Sequence, residues 1–387
     1  MPATRLLVIV GASILSLAGS ASAAEVQKIA GGLDNPRHLA FGGRALYVAE
    51  AGRGGPGPCF PGEEGGTVCV GATGAVTVID RWGQRRLVQG LASVADQGTG
   101  AGAIGPHGID VQGQDRVLVT NGGPGGANRD TLATQNPVAD LFGRVLGIDR
   151  RGGIERLVDT WAFERDNNPD KLVGNPAIES NPVDVLSGRG RLIVADAAGN
   201  SLLKARRDGS IEVLSLFANR TVPNPMGGPD VPMQAVPTGV VQGPDGDVFM
   251  SQLTGFPFPV GAANVYRVDR RTGDAEVFAS GFTNIMDLAF DGDGTLWVLE
   301  IDHDSLLNPK SSEGAIFSVD QNGTKTQLSL PAGTLTEPGG IAVGRDGALY
   351  VTNKSTAAGA GEVLRIDVGA GGKGDEAGGN GDDGDGG

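Results

Sequence analysis

The feature that most constrains the fold of this sequence is a pattern that recurs six times along the chain. Each copy contains an apolar strand, a tight turn rich in Gly and Asp, and a second apolar strand that ends in a polar residue. The copies begin at Pro36, Pro106, Pro182, Pro237, Ile285 and Pro338. A third short strand follows every copy, and a fourth follows all but the last. The pattern predicts an all-β chain folded as a six-bladed β-propeller of four-stranded antiparallel blades.

The sixth copy lacks a fourth strand of its own. After Ile366 the chain continues as a Gly- and Asp-rich segment that cannot form one, whereas residues 26–33, VQKIAGGL, supply an apolar strand just ahead of the first copy. This early segment ends in the same Gly, apolar, x, Asn phrase that ends the outer strand of the fourth copy. We therefore expect the N-terminal strand to close the last blade, which leaves no long free edge.

The two ends of the chain predict segments outside the propeller. Arg5 precedes the apolar run 6–19, and Ala21 and Ala23 form the small-x-small pattern of a signal peptidase site. The run is shorter than the roughly 20 residues that span a bilayer, so we predict a cleaved signal peptide at 1–23, with an uncleaved anchor as the alternative. Residues 24–368 form the predicted propeller, and 369–387 a disordered Gly/Asp-rich tail.

Export gives a meaning to the only two cysteines. Cys59 and Cys69 lie close together in sequence, and in the periplasm or outside the cell such a pair is expected to form a disulfide. Three His residues are too few for a His-rich zinc site. The balance of 31 basic against 45 acidic residues, a net charge of -14, argues against a nucleic-acid partner.

The loops divide into two sets that must lie on opposite faces of the propeller. The turns between first and second strands are short, whereas the loops after second and fourth strands hold the long insertions. These insertions cover residues 51–73, 92–105, 122–142, 161–181, 218–236, 253–262 and 301–313. Repeat scaffolds collect insertions on the face that binds, so this long-loop face is predicted to be functional.

A ring of polar side chains is expected near that face, because the second strands end in polar residues at equivalent positions. The ring consists of Glu50, Asn121, Asp196, Gln252, Glu300 and Asn353. One interpretation is that these residues cap neighbouring loops through backbone hydrogen bonds. The other is that they converge on the axial mouth, where Glu50, Asp196 and Glu300 are candidate ligands for a hard cation such as Ca²⁺.

Further candidates lie close to the predicted mouth. His38 and Asn284 are ligand-binding candidates, and His107 is the best single candidate for a general base, with a buried structural role as the alternative. Phe256 and Phe258 belong to the insertion GFPFPVG. They predict either an aromatic wall of a ligand pocket or simple packing of the loops on one another.

Several long phrases of the chain resemble the ScyD/ScyE family. They include GLDNPRHLAFGGRALYVAEAGRGGPGPCFPGEEGGTVC, SQLTGFPFPVGAANVYRV and EPGGIAVGRDGALYVTN, and the resemblance runs from about Gly31 to Ile366. It implies an exported bacterial β-propeller. Founding members of the family are encoded with the pathway for scytonemin, an indole-phenol sunscreen pigment. The resemblance implies no catalytic residues.

Two functions therefore remain open. The first is a binding or scaffold protein whose long-loop face holds a small, aromatic ligand or another exported protein. The second is a Ca²⁺-assisted hydrolase or lactonase-like enzyme, similar to six-bladed gluconolactonases, with His107 or a ring Glu as base. The sequence contains no complete nucleophile motif or metal-binding motif, and this absence supports the binding protein over the enzyme.

Overall fold

The computed structural model describes residues 24–369, except for positions 63, 64, 114, 115, 189 and 207. The predicted signal peptide at 1–23 lies outside the described residues. So does all but the first residue of the predicted tail at 369–387.

Blades 1 to 3 are antiparallel sheets whose strands pair in chain order. Blade 1 contains Pro36–Gly42, Ala45–Glu50, Thr67–Asp80 and Gly83–Asp96. Blade 2 contains Pro106–Gln112, Arg116–Asn121, Arg144–Asp149 and Ile154–Asp159. Blade 3 contains Pro182–Gly188, Arg191–Asp196, Ser201–Arg206 and Ile211–Leu216.

Blades 4 to 6 repeat the arrangement. Blade 4 contains Pro237–Gln242, Val248–Gln252, Ala263–Val268 and Ala275–Phe282. Blade 5 contains Ile285–Phe290, Leu296–Glu300, Ala315–Val319 and Lys325–Gln327. Blade 6 contains Gly340–Val343, Leu349–Asn353, Gly361–Asp367 and, as its outer strand, Glu25–Leu33. The first strand of each blade, its inner strand, packs against the inner strands of both neighbours, and that of blade 6 meets that of blade 1. The predicted fold class is confirmed.

The N-terminal strand closes the ring as predicted. Glu25–Leu33 pairs antiparallel with Gly361–Asp367, with Val26 opposite Ile366 and Leu33 opposite Gly361. Ala30 and Leu33 are buried in one apolar cluster with Val363 of the same blade and residues of blade 1. Ladder hydrogen bonds and apolar burial therefore join the two ends of the propeller.

The hydrophobic core lies between the blades, where the flat faces of neighbouring sheets meet. Phe249 of blade 4 contacts the rings of Phe278 and Phe290 edge to face, with centroids 5.0 Å apart in both pairs. Such pairs add to the stabilisation that comes from burial of the rings themselves. Because Phe290 belongs to blade 5, this cluster fixes the angle between the two blades.

Blade 1 is larger than the repeat pattern predicts. Its third and fourth strands extend through parts of the expected insertions at 51–73 and 92–105, and a short strand, Cys59–Pro61, pairs with Thr67–Asp80. Cys59 lies opposite Cys69 in this pairing, and the two form a disulfide. The predicted disulfide is confirmed, and it crosslinks a hairpin that projects from the blade.

Short helices in two insertions were not predicted. They are α1 (Arg129–Gln135) and α2 (Thr160–Asn167), each followed by a 3-10 turn, at Pro137–Leu141 and Pro169–Val173. Asn128 and Asp159 cap the two helices by accepting backbone N–H groups of Thr131 and Ala162. A two-stranded ribbon, Arg220–Val222 with Val231–Met233, fills a third insertion. Within the described chain, every helix is too short or too polar to cross a bilayer.

Candidate functional site

Charged residues and glycines alternate around the propeller axis at one position of the inner strands. Blades 1, 3 and 5 carry His38, Asp184 and Asp287 there, whereas blades 2, 4 and 6 carry Gly108, Gly239 and Gly340. A Cβ atom on Gly108 would lie 2.3 Å from Cα of Asp184, and one on Gly340 would lie 2.6 Å from Cα of His38. The glycines therefore create the space in which three charged side chains share the axis.

These three side chains form a buried axial cluster. Nδ1 of His38 lies 3.2 Å from Oδ1 of Asp184 and 3.9 Å from Oδ1 of Asp287. Burial by itself would lower the pKa of His38, but the charges of Asp287 and Asp184 outweigh it and raise that pKa to about 9. Burial raises the pKa of Asp287 to about 7. His38 is therefore an imidazolium whose positive charge offsets part of the negative charge of Asp184 and Asp287.

The axial carboxylates are also hydrogen-bonded to two blades each. Asp184 accepts the N–H of Val185 in its own strand and, at 2.7 Å, that of Val240 in blade 4. Asp287 accepts the N–H of Leu288 and, at 2.8 Å, that of Ile341 in blade 6. Each carboxylate oxygen thus has an amide donor, and each aspartate clamps its inner strand to the next one.

The axial donor set does not fit Ca²⁺ as it stands. Ca²⁺ takes six to eight oxygen ligands, whereas this cluster offers a ring nitrogen and four carboxylate oxygens that already accept amide protons. A cation would also have to displace the proton of His38.

His107 stands beside the axial cluster. Its ring centroid lies 5.0 Å from that of His38, and its buried Nε2 has no hydrogen-bond partner among the residues that the structure describes. Burial, followed by the charges of His38 and Arg37, lowers the pKa of His107 well below the usual value. His107 is therefore neutral and able to accept a proton, which fits the predicted general base without excluding the structural role.

The predicted polar ring is buried, and most of its members bind the loop that leads into their own blade. Glu50, Asp196, Glu300 and Asn353 accept the N–H groups of Asp34, Asn181, Thr283 and Thr336, at 2.7 to 2.8 Å. Asn121 donates to the carbonyl of Ala92, and Gln252 accepts from Arg220. These bonds are those expected of loop caps.

The candidate cation ligands in this ring have other partners. Glu50 forms ion pairs with Arg86, and Oε2 of Glu300 lies 2.5 Å from Nδ1 of His303. Among the described residues, the acidic and His side chains that lie close enough together to share an ion are those of the axial cluster. Glu50, Asp196 and Glu300 are therefore not brought together as a set.

The remaining candidates lie on the loops of blades 4 and 5. Asn284 donates to the carbonyl of Leu253 and accepts the N–H of Leu306, so its amide joins two loops. Phe256 is half exposed, and the carbonyl of Phe258 accepts the hydroxyl of Ser305. The structure does not place these two rings in the cavity described next.

A cavity of about 190 Å³ opens on the long-loop face between the insertions of blades 2, 3 and 4. We call it the loop-face pocket. Its lining consists of Ile104, Pro124, Gly125, Gly126, Trp161, Glu179, Ser180, Asn181, Ala197, Ala198, Gln234 and Val236. Val236 adopts φ +50°, a strained conformation for a β-branched residue. Asn200 holds it there by accepting the N–H groups of Ala235 and Val236.

Three buried carboxylates lie close to this pocket. The hydroxyl of Ser180, a lining residue, donates to Asp196 at 2.6 Å. Asp196 in turn repels Asp170, and both repel Glu164 of α2. Burial, with these two charges, raises the pKa of Glu164 to about 8. Burial also raises the pKa values of Asp170 and Asp196. The group combines a cavity with perturbed acids, as ligand-binding sites commonly do.

Sequence reasoning named Asp196 but missed Glu164 and Asp170. The segment FERDNNPDK, residues 163–171, is rich in acids and Asn, which is the signal that was available. Nothing in it shows that α2 and the turn after it direct two of these acids inward.

Comparisons with known proteins agree on architecture. No family model and no curated protein matches the sequence. Among solved structures, a protein of unknown function from Bacteroides thetaiotaomicron matches with a TM-score of 0.54 at 10% identity, over 89% of this chain and 76% of that one. A gluconolactonase from Xanthomonas campestris matches with a TM-score of 0.51 at 15% identity, over 89% of each chain. The chain is a six-bladed β-propeller. At these identities the likeness extends to the fold alone.

The opposite face carries depressions of its own. Cavities of about 560, 310 and 130 Å³ lie among the hairpin turns of blades 1 to 3, around Arg116. Turn positions 114, 115, 189 and 207 lie in these hairpins but outside the described residues.

Proposed function

We propose that this protein is an exported binding protein of the ScyD/ScyE kind that holds a small aromatic ligand in the loop-face pocket. The observation that carries the proposal is the combination of Trp161 with the polar side chains of Ser180, Asn181 and Gln234 around one cavity. Rigid apolar walls with a few convergent polar groups are typical of small-molecule sites. The signal peptide predicted from the sequence supports export.

The size of the pocket limits the ligand. A cavity of 150 Å³ lined by apolar side chains holds benzene, so about 190 Å³ accommodates one ring system of the size of phenol or indole. The hydroxyl of Ser180 and the amides of Asn181 and Gln234 can pair with a phenolic O–H or an indole N–H. Glu179 at the pocket and the net charge of -14 disfavour an anionic ligand.

Titration with phenol tests the proposal. Trp161 lies in the pocket wall, so we expect phenol to change its fluorescence saturably. Ala198→Leu, which fills the pocket, should abolish the binding measured by calorimetry. Ala332→Leu adds the same side chain at an exposed loop position and should leave binding unchanged. The proposal is wrong if phenol and indole do not bind saturably, or if Ala198→Leu binds them as the wild type does.

A second candidate function is a hydrolase or lactonase-like activity at the axial mouth. It is favoured by the neutral His107 beside the axial cluster, because an imidazole in that state can take a proton from an attacking water. We expect hydrolysis of simple lactones, followed by pH-stat, to disappear in His107→Gln. Absence of hydrolysis in the wild type, with and without added Ca²⁺, would exclude this candidate.

A further inference from the structure

The face opposite the long loops is divided into a basic half and an acidic half. It is formed by the turns that join first to second and third to fourth strands, and we call it the short-turn face. In blades 1 to 3 the described residues of these turns include 11 Lys and Arg against five Asp and Glu, a net charge of +6. In blades 4 to 6 they include five against nine, a net charge of -4. The turns counted are 42–45, 80–86, 112–116, 149–156, 188–191 and 204–212 in the basic half, and 242–248, 267–276, 290–296, 319–325 and 343–349 in the acidic half.

Several arginines of the basic half direct their charge to solvent. Arg44, Arg81, Arg151 and Arg191 are exposed, and within the described part of the chain none of them forms an ion pair. The whole chain carries a net charge of -14, so their concentration on one half of one face does not reflect a general excess of basic residues. The basic half therefore presents a positive surface to a partner.

An exposed tryptophan lies among these arginines. Trp82, in the turn between the third and fourth strands of blade 1, is 75% exposed, whereas Trp161 and Trp297 are each 4% exposed. The guanidinium group of Arg81 stacks on the ring of Trp82, with Cζ 4.0 Å from the ring centroid. A Trp ring beside a basic side chain is typical of proteins that contact a membrane interface, where the ring lies at the level of the lipid headgroups.

A cavity beside this turn has the charge that suits an anionic headgroup. It has a volume of about 310 Å³ and lies between blades 1 and 2. Arg85, Arg116 and Arg150 contribute to its wall, together with one carboxylate, that of Asp149. Guanidinium groups pair well with phosphate oxygens, so this part of the basic half favours a phosphate over a neutral group.

The predicted signal peptide joins the propeller on the same face. Glu25 pairs with Asp367, where the third strand of blade 6 ends, so the N-terminal strand starts at the short-turn face. Gln84, two residues after Trp82, bonds to both backbone groups of Gly31 in that strand, at 3.1 and 3.2 Å. A signal peptide inserts into the membrane during export. The strand that follows it, and the Trp82 turn beside this strand, would then lie next to the lipid.

We propose that the basic half of the short-turn face docks on an anionic phospholipid membrane, with Trp82 at the level of the headgroups. The net charge of the chain does not prevent docking, because charges farther from the lipid than the Debye length, about 8 Å in physiological salt, are largely screened. In this orientation the long-loop face and its pocket point away from the membrane. The proposal does not depend on the pocket ligand.

Sedimentation with phospholipid vesicles tests the proposal. We expect a chain that begins at Ala24 to bind vesicles of mixed phosphatidylglycerol and phosphatidylcholine at low ionic strength, and not vesicles of phosphatidylcholine alone. High ionic strength should weaken this binding. The fluorescence emission of Trp82 should shift to shorter wavelength in the bound state, and Trp82→Phe should lose that shift.

Two equivalent turns supply a matched control. Residues 149–153 and 269–273 read DRRGG and DRRTG, but the first turn lies in the basic half and the second in the acidic half. Each basic residue near an anionic membrane adds about fivefold to the affinity, so Arg150→Gln combined with Arg151→Gln should bind roughly 25-fold more weakly. Arg270→Gln combined with Arg271→Gln removes the same charge and should bind as the wild type does.

Several outcomes overturn the proposal. They are no binding of the wild type to phosphatidylglycerol vesicles, equal binding to phosphatidylcholine alone, and equal loss of affinity in the two double variants. Self-association in place of vesicle binding, detected by light scattering, would equally overturn it, because the acidic half would then be the partner of the basic half. Ala198→Leu should bind vesicles as the wild type does, which separates this test from that of the pocket ligand.

Discussion

At the scale of single residues, buried charge at the propeller axis is stabilised by its immediate partners. His38 is 2% exposed, yet it carries a proton because Asp184 and Asp287 lie within 4 Å of its Nδ1. The ring of His107 lies only 5.0 Å away, and burial with the charges of His38 and Arg37 keeps it neutral, since no carboxylate of the described residues acts on it. Two histidines in one environment thus differ in charge because only one of them faces the aspartates.

We predict that the two axial histidines titrate far apart. The pKa of His38 is raised from 6.5 to about 9, so its contribution to stability is fully present below pH 6.5 and is lost as the pH rises through about 9. This shift corresponds to roughly 3 kcal/mol at most. Imidazole ¹⁵N NMR should show His38 protonated at pH 7.5 and His107 neutral. Titration of His38 near pH 6.5 would contradict the proposed cluster.

At the scale of secondary-structure elements, the inner strands pack so closely that every second one needs glycine. The Cα atoms of His38, Asp184 and Asp287 lie 2.3 to 3.0 Å from the place that a Cβ atom on the preceding blade's glycine would take. The same aspartates bond to the following blade, so each one determines the distance between two strands.

Gly108→Ala should therefore destabilise the protein. The new methyl group would lie 2.3 Å from Cα of Asp184, and overpacking of this kind costs about 1–3 kcal/mol. The control is Gly292→Ala in a surface turn, where a Cβ atom meets nothing within 4 Å, and a change within about 0.5 kcal/mol is expected. Urea denaturation measures both. Equal stability of the two variants would show that the inner strands move apart freely.

At the scale of the whole molecule, the ring is closed by residues from the two ends of the described chain. The pairing of Glu25–Leu33 with Gly361–Asp367 completes blade 6 and brings Leu33 into the core beside blade 1. Without that strand, Gly361–Asp367 would become an exposed edge with unpaired backbone groups.

A chain that begins at Pro36 should therefore aggregate or melt at a much lower temperature than one that begins at Ala24. Light scattering and a thermal melt would detect either effect. Removal of residues 370–387 is the matched control, and the predicted disorder of that tail implies an unchanged melting temperature. A normal melt after the N-terminal truncation would mean that this strand does not close the ring.

The sequence alone determined the architecture, because the blade pattern depends on neighbours along the chain. Alternating apolar residues, tight turns and their sixfold recurrence predict the blades, and the missing fourth strand predicts closure by residues 26–33. The Cys59–Cys69 disulfide follows from the short separation of the two cysteines. The helices α1 and α2 were missed because seven or eight residues carry too weak a periodic signal.

Only the tertiary structure decided how the functional groups are arranged. The ring residues Glu50 and Glu300 occupy equivalent positions, but the loop amides around them, and not the symmetry, determine where their side chains bind. Glu164, Asp170 and Asp196 come from α2, the turn after it and the second strand of blade 3, and the insertions at the equivalent places of blades 1 and 3 have different sequences. A repeat encodes what the blades share, whereas a site depends on contacts between distant segments in which the blades differ.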